Sequence, residues 1–591
     1  MNSETRKCQN CSLDFIIEPE DFLFYDKIKV SAPTWCPECR MIRRFSWRNE
    51  RSLYKRKCDA TDKEIISMFS TDKPFKIYEH DYWWSDNWDQ ITQGKDYDFS
   101  KPFFIQFREL LESQPLPNLA NSNVVNSEYG NHNEDMKDCY LVYASYKNEN
   151  VRYGSGLINC KDSIDIYLAE GIEKSYEISC STGLFNTIFA YDSDNSFDSK
   201  FIQLCVNTND SFGCVNLRNK TNHIFNKPYT KEEYKKEIKN IDLGSYKTIQ
   251  EIKDKFKIFS IKHLKRYASI IKCVNVTGDM AMNSKNCHHC FEIYGNVEDS
   301  KFVSHSINLK DSYDGYGFGA VSELMYEGID TGINASQNKF NIFTHGCRDV
   351  SYTYACHSSS NLFGCIGLRN KQYCILNKQY TKEEYEQLVP KIIEHMNSMP
   401  YIDKKGRVYK YGEFFPPELS PFCYNETIAQ EYFPLTKEQA LEQGYSWKDS
   451  EERNLKIDIK TEDLPDHIKD VKDDIINKII ECQHQGKCNE QCTEAFKIIP
   501  QELEFYRKMN LPLPRLCPNC RHYQRLKQRN PLKLWKRKCQ CNGEKSSNGV
   551  YQNTIQHFHG NEPCPNEFET TYAPERPEIV YCEKCYQQEV V

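Results

Sequence analysis

The chain has 591 residues, 28 of them Cys, and a formal charge of −7 from 77 basic and 84 acidic side chains. A length of this order makes several domains at roughly 100–200 residues each, and the small negative charge gives no global pull toward nucleic acid, so such contacts would have to come from local patches. No run of about 18 apolar residues is present to span a membrane, and the opening MNSETRKCQN has no apolar signal core; the chain is expected to be cytoplasmic with no membrane partner, in a compartment where paired Cys mean metal more often than disulfides.

Residues 1–58 read as a zinc ribbon with a basic helix. Cys8-x2-Cys11 is followed, after 24 residues, by Cys36-x2-Cys39. Two such knuckles bring four thiolates into a tetrahedron, which is what Zn2+ prefers, and four protein ligands leave no open position, so the site is structural. Arg40, Arg44 and Arg48 stand four apart, a spacing that places them on one face of a helix. Phe45, Trp47 and Tyr54 interleave with them. Such a row suits phosphate contacts and base stacking; the alternative is pairing with carboxylates elsewhere in this acidic chain.

Residues 59–120 form an aromatic-rich linker domain whose Tyr82, Trp83, Trp84 and Trp88 read as a packing surface. The middle is duplicated: a shift of 151 residues lays Phe212-Gly213-Cys214 on Phe363-Gly364-Cys365 and the YTKEEY of Tyr229–Tyr234 on Tyr380–Tyr385. The halves run over 121–240 and 272–397, with a helical linker at 241–271. Inside each half, polar corners recur about every 12 residues, near Asp138, Asn150, Asp162, Lys174, Asn186, Asp198 and Asp210 in the first. Short alternating strands at even spacing point to a β-solenoid with two or three steps per coil; a two-sheet sandwich is the competing fold. Thr230 and Thr381, each followed three residues on by Glu, predict N-capped helices closing the halves. Cys287-His288-His289-Cys290 reads as inward-facing thiols rather than a metal site, because Cys290 matches Cys139, which has no His beside it.

An aromatic and Pro-rich connector, with a helix near 465–482, fills 398–480. A second ribbon with basic helix follows at 481–538, since a shift of 481 lays Cys11, Cys36 and Cys39 on Cys492, Cys517 and Cys520. Its expected ligands are Cys488, Cys492, Cys517 and Cys520, and its basic row is Arg521, Arg525 and Arg529. The last module, 539–591, offers Cys539, Cys541, Cys582 and Cys585 as a third zinc set, with Cys564, His557 and His559 as spare donors. Cys58, matching Cys539, has no following knuckle and reads as a packed thiol.

The ribbons, with F-x-I-x-P-x(4)-F-Y ahead of CP-x-CR, resemble the probable zinc-ribbon domain family, over about 50 residues at each end. The whole chain resembles a family of long zinc-ribbon proteins from reduced-genome bacteria. The expectation is thus a mainly β, multidomain chain: zinc ribbons at both ends flank a duplicated β-solenoid-like repeat domain with short capping helices. Two to three structural Zn2+ ions are expected. No GxxxxGK[ST], HExxH or GxSxG occurs, so a binding scaffold for a protein partner is favoured. RNA or DNA binding through the basic helices is the alternative, and an enzyme using a solenoid groove the lesser one.

Overall fold

The computed structural model describes residues 2–449 and 455–591; residues 450–454 of the expected connector lie outside the described residues. The chain divides into two compact units, one of Met1–Ala120, Ala268–Asp449 and Leu532–Leu534, the other of Asn121–Tyr267, Ser450–Pro531 and Trp535–Val591. Each unit therefore joins one repeat half to the ribbon from the far end of the chain.

In the second unit an 11-stranded sheet runs in chain order from Asn121 to Pro228, parallel until its last antiparallel pair. Its register is a fixed 12: Tyr140 pairs with Arg152, then Ile164, Tyr176, Ile188, Lys200 and Phe212 in turn. One 12-residue step is therefore one whole coil, where the sequence reading allowed two or three steps per coil. The array is a β-solenoid, and the sandwich is set aside.

Its inner period is three, not the two of an ordinary strand. Cys139, Val142, Val151, Leu157, Cys160, Ile166, Ala169 and Ile172 all face one core, and their numbers differ by multiples of three. The residue before an inward position turns into the left-handed region: Asp138, Leu141, Asn150, Gly156, Asn159 and Asp165 all have φ between 52° and 69°. Asn, Asp and Gly accept that conformation at small cost, which is why they punctuate the sequence. Leu141 and Phe189 adopt it too, at about 1–2 kcal/mol each, held there by the hydrogen-bond ladder on both sides. Small hydroxyls can face inward because the ladder uses them: the Ser175 and Thr187 backbone N–H groups donate to the Ser163 and Ser175 Oγ atoms, each at 3.1 Å.

The first unit holds a 13-stranded sheet over Ile270–Gln379. Steps of 13 (Lys285 to Glu298, Tyr313 to Tyr326) mix with steps of 12 (Lys301 to Tyr313, Lys339 to Ser351). Cys347, Cys356, Cys365 and Cys374 line one stretch of its core. Cys287 and Cys290 line another, donating through Sγ to the Lys285 and His288 carbonyls at 3.3 and 3.5 Å. They are packed thiols and join no group of metal donors among the described residues.

Both arrays are followed by the expected helices, Lys231–Lys239 and Lys382–Ser398. The Glu233 and Glu384 N–H groups donate to the Thr230 and Thr381 Oγ atoms at 3.2 Å, and each Glu carboxylate accepts from its Thr N–H at 2.9 Å. The linker helix is Tyr246–Ile261. The helix expected near 465–482 is instead a string of 3-10 turns, Ile468–Asp470 and Asp473–Asn477. Leu464, Ile468, Val471 and Ile475 keep a helical apolar spacing and are all buried against the second ribbon, so packing rather than propensity sets the backbone here. Among the described residues, no helix is long and apolar enough to cross a membrane.

Candidate metal centres

Four antiparallel hairpins share one plan: Glu4–Lys7 with Asp14–Ile17, Tyr54–Lys57 with Glu64–Ser67, Ile480–Glu481 with Ala495–Phe496, and Trp535–Lys538 with Glu567–Thr570. A Cys follows the first strand of each: Cys8, Cys58, Cys482 and Cys539. Its sulfur accepts a backbone N–H from the residue that caps the next knuckle helix, at 3.2 Å in all four: Cys36, Glu79, Cys517 and Cys582. Pro37 and Pro518 open the knuckle helices of the two ribbons, where a missing N–H costs nothing.

Three of the four hairpins gather four sulfurs: Cys8, Cys11, Cys36 and Cys39; Cys482, Cys492, Cys517 and Cys520; and Cys539, Cys564, Cys582 and Cys585. The sulfur separations are 3.8 Å for Cys11–Cys36, 3.9 Å for Cys482–Cys520, 4.0 Å for Cys492–Cys517, 3.8 Å for Cys564–Cys582 and 3.6 Å for Cys564–Cys585. Zinc–sulfur bonds of about 2.3 Å at the tetrahedral angle place sulfurs about 3.8 Å apart. An all-thiolate tetrahedron of that edge fits Zn2+, which would close it structurally with no position left for substrate.

The first set is the one expected. The second takes Cys482 where Cys488 was expected, and the third takes Cys564 where Cys541 was expected. The cause is the same in both. The Cys ending the first strand is fixed by the hairpin, and the knuckle between it and the next ligand is enlarged, so short Cys spacing is no guide there. Cys488 and Cys541 lie beside these tetrahedra, within reach of Cys520 and Cys585 respectively.

The four sulfurs of such a set compete with one another for charge. Hydrogen bonds from the Cys482, Cys492 and Cys520 thiols hold Cys517 far below the ordinary thiol range. The Cys482, Cys492 and Cys517 sulfurs push Cys520 far above it. Four adjacent sulfurs do not all ionise unless a positive charge sits among them. The Cys58 hairpin lacks such a set: Thr61 and Glu79 stand where the others have Cys, and Cys58 is a packed thiol.

The basic rows lie against the solenoids. The helices Pro37–Phe45 and Pro518–Leu526 carry the first two arginines of each row, and Arg48 and Arg529 lie past the helix ends. In the first unit Arg40 meets Asp314 at 2.8 Å, Arg44 meets Glu327 at 2.8 Å, Arg43 bridges Glu327 and Glu413 at 3.0 Å each, and Arg48 meets Asp330 at 2.7 Å. In the second unit Arg525 meets Asp165 at 2.8 Å, and Arg521 reaches Asp165 at 3.3 Å and Glu502 at 3.4 Å. Arg529 donates to the Tyr167 hydroxyl at 2.9 Å. Arg40, Arg44, Arg48, Arg521 and Arg525 are all at most 7 % exposed, so they are not available to a phosphate backbone. Three guanidiniums (Arg40, Arg43, Arg44) face three carboxylates (Asp314, Glu327, Glu413), so the buried cluster is neutral. Burial pushes the Glu327 carboxyl upward, against the pull of Arg44 and Arg43.

No protein-family model matches the chain, and no curated protein does. Among solved structures, a crystal structure described as a "putative acetyltransferase from Desulfovibrio desulfuricans G20" aligns over 49% of this chain and 74% of its own at 11% identity, with a TM-score of 0.09. At that score the likeness carries no structural or functional weight.

Proposed function

We propose that this chain is a structural zinc protein acting as a scaffold, in which three zinc ions close the ribbons, buried ion pairs fix each ribbon to a β-solenoid, and the outer solenoid faces receive a protein partner. The observation that carries this reading is the burial of the arginine rows. The feature best suited to nucleic acid is engaged inside each unit, and what faces outward is a ladder of both signs. Lys137 and Lys161 both pair with Glu149, at 3.0 and 3.2 Å. Such a mixed surface favours protein over a polyanion. Catalysis forms no part of this reading.

Two measurements on the purified full chain test it. Fluorescence anisotropy with single- and double-stranded RNA and DNA at low salt should show no micromolar binding. Affinity capture should retain a stoichiometric protein partner after nuclease treatment and lose it when Lys137, Glu149 and Lys161 are reversed in charge. Salt-dependent micromolar binding to nucleic acid, or a partner released by nuclease, would overturn the scaffold reading in favour of the nucleic-acid one.

A further inference from the structure

The three tetrathiolate ribbons differ most in the length of the first knuckle. Two residues separate Cys8 from Cys11, nine separate Cys482 from Cys492, and 24 separate Cys539 from Cys564. The added residues carry a second set of donors in each enlarged knuckle. In the last module they are Cys541, His557 and His559, which close on Cys585; in the second ribbon they are His484, Cys488 and Glu490, which close on Cys520. The short first knuckle, with nothing inserted, has no second set among the described residues.

The groups around Cys585 are arranged as ligands. His557 Nδ1 lies 3.0 Å from the Cys541 sulfur, and its Nε2 lies 3.1 Å from Glu589 Oε2. His559 Nε2 lies 3.3 Å from the Cys585 sulfur, while its Nδ1 sits against the Glu562 carbonyl at 2.6 Å. A carbonyl can only accept, so His559 carries its proton on Nδ1 and turns the Nε2 lone pair toward Cys585. Glu589 likewise holds the His557 proton on Nε2 and frees Nδ1 toward Cys541. A carboxylate or carbonyl on the far nitrogen is how metal-bound imidazoles are oriented. Asn553 donates to the Cys541 sulfur at 3.2 Å, and Asn566 to the Cys582 sulfur at 3.3 Å, as thiolates require. Around Cys520 the corresponding sign is a buried pair, His484 Nδ1 against Glu490 Oε2 at 3.2 Å, with no other hydrogen bond to either atom.

We infer that the module around Cys585 is a dinuclear zinc centre in which the Cys585 thiolate bridges an all-cysteine site (Cys539, Cys564, Cys582, Cys585) and a mixed cysteine–histidine site (Cys541, His557, His559, Cys585). The second ribbon repeats the device at Cys520, with His484, Cys488 and Glu490 on the outer ion. Charge favours the bridge. A lone tetrathiolate zinc site sums to −2; five thiolates around two dications, −5 plus 4, sum to −1. Both ions are four-coordinate and closed, as structural zinc is.

This inference rests on the ribbons binding zinc, and the test separates the two. Full-length protein, purified under reducing conditions, is measured by native mass spectrometry and elemental analysis beside the variant H557A/H559A. The expected result is one zinc fewer in the variant, with its far-UV circular dichroism unchanged and the cobalt-substituted protein losing the absorption component of the mixed cysteine–histidine site while keeping that of the tetrathiolate. Because H557A/H559A could disturb the inserted loop, Cys541→Ser provides the same count by a smaller change. Equal zinc content in wild type and both variants overturns the dinuclear centre and leaves the three-zinc scaffold standing. Fewer than three zinc ions in the wild type overturns both.

Discussion

The Arg40 guanidinium lies fork-to-fork on the Asp314 carboxylate, Nε to Oδ1 at 3.0 Å and Nη2 to Oδ2 at 2.8 Å, with both side chains at most 2 % exposed. Its counterpart under the 481-residue shift, Arg521, reaches Asp165 in the other array. The duplicated ribbons thus use one docking device twice. Arg521 also stacks on Tyr153, 4.5 Å from guanidinium to ring centre, and Tyr153 donates to Glu502 at 2.7 Å.

Breaking one side of such a pair leaves a buried charge, which costs about 3–5 kcal/mol. Asp314→Asn is expected to destabilise the first unit by that amount, because Arg40 loses its bidentate partner and Arg44 its 3.3 Å contact. Asp165→Asn is expected to act alike on the second. Urea unfolding followed by tryptophan fluorescence checks the first. A midpoint unchanged from wild type would mean the pair is solvated in solution.

Replacing Arg40, Arg44, Arg48, Arg521, Arg525 and Arg529 together by Gln is expected to lower the unfolding temperature and loosen the ribbons from the arrays, with no change in nucleic-acid affinity, since all but Arg529 are buried. The variant leaves Asp314 and Asp165 buried without their guanidiniums and Glu327 with Arg43 alone, which is why stability is the quantity that moves. Thermal scanning and limited proteolysis read it. A variant as stable as wild type that has lost RNA or DNA binding would restore the phosphate-contact reading.

Much of this was legible in the sequence, for identifiable reasons. The capping boxes at Thr230 and Thr381 are local, and local chemistry is written in adjacent residues. The 12-residue step is a repeat and shows in any window. The inner period of three was not legible: Leu141 and Phe189 adopt left-handed backbone that neither residue prefers, because ladder partners in the coils before and after impose it. Cys482 was missed because alignment on Cys11 and Cys492 places Asn489 where Cys8 stands. The strand position that identifies Cys482, directly after Ile480–Glu481, becomes visible only once the hairpin is formed. Pairing of the arginine rows with distant carboxylates was one of the two readings the sequence allowed, but which carboxylates was beyond reach, since Asp314 is 274 residues from Arg40.

Zinc content should distinguish the hairpins. Cys8→Ser is expected to lose one zinc and to unfold the first ribbon, whose closure by metal is worth on the order of 10–16 kcal/mol. Cys58→Ser is expected to lose none, because Thr61 and Glu79 replace the ligands around it; its cost is the weakened acceptance of the Glu79 N–H, now made at 3.2 Å. Elemental analysis of the two variants beside wild type decides. Zinc loss from Cys58→Ser would place a fourth metal in that hairpin.

Lys265 should give the second unit an alkaline stability slope. Its Nζ is buried and donates to Ser260 Oγ at 2.9 Å and Gln203 Oε1 at 3.2 Å. Burial pulls its pKa from 10.5 down to about 8, against the attraction of Glu578 and Asp192 and with the repulsion of Arg576. Below pH 8 both folded and unfolded chains hold the proton, and the folded state carries the full cost of a buried ammonium. Between pH 8 and 10.5 the folded chain releases the proton while the unfolded chain keeps it. The unfolded state then binds more protons, so stability rises with pH. A depression of this size corresponds to about 3 kcal/mol across the window. Lys265→Met is expected to be the more stable protein at pH 7 and to lose the slope, while Ser260 and Gln203 keep their mutual hydrogen bond. Other alkaline groups titrate in both proteins and cancel in the difference. Urea midpoints of the two proteins at pH 7, 8, 9 and 10 provide the check. A difference that does not shrink as pH rises would show that Lys265 is charged throughout and that solvent reaches it.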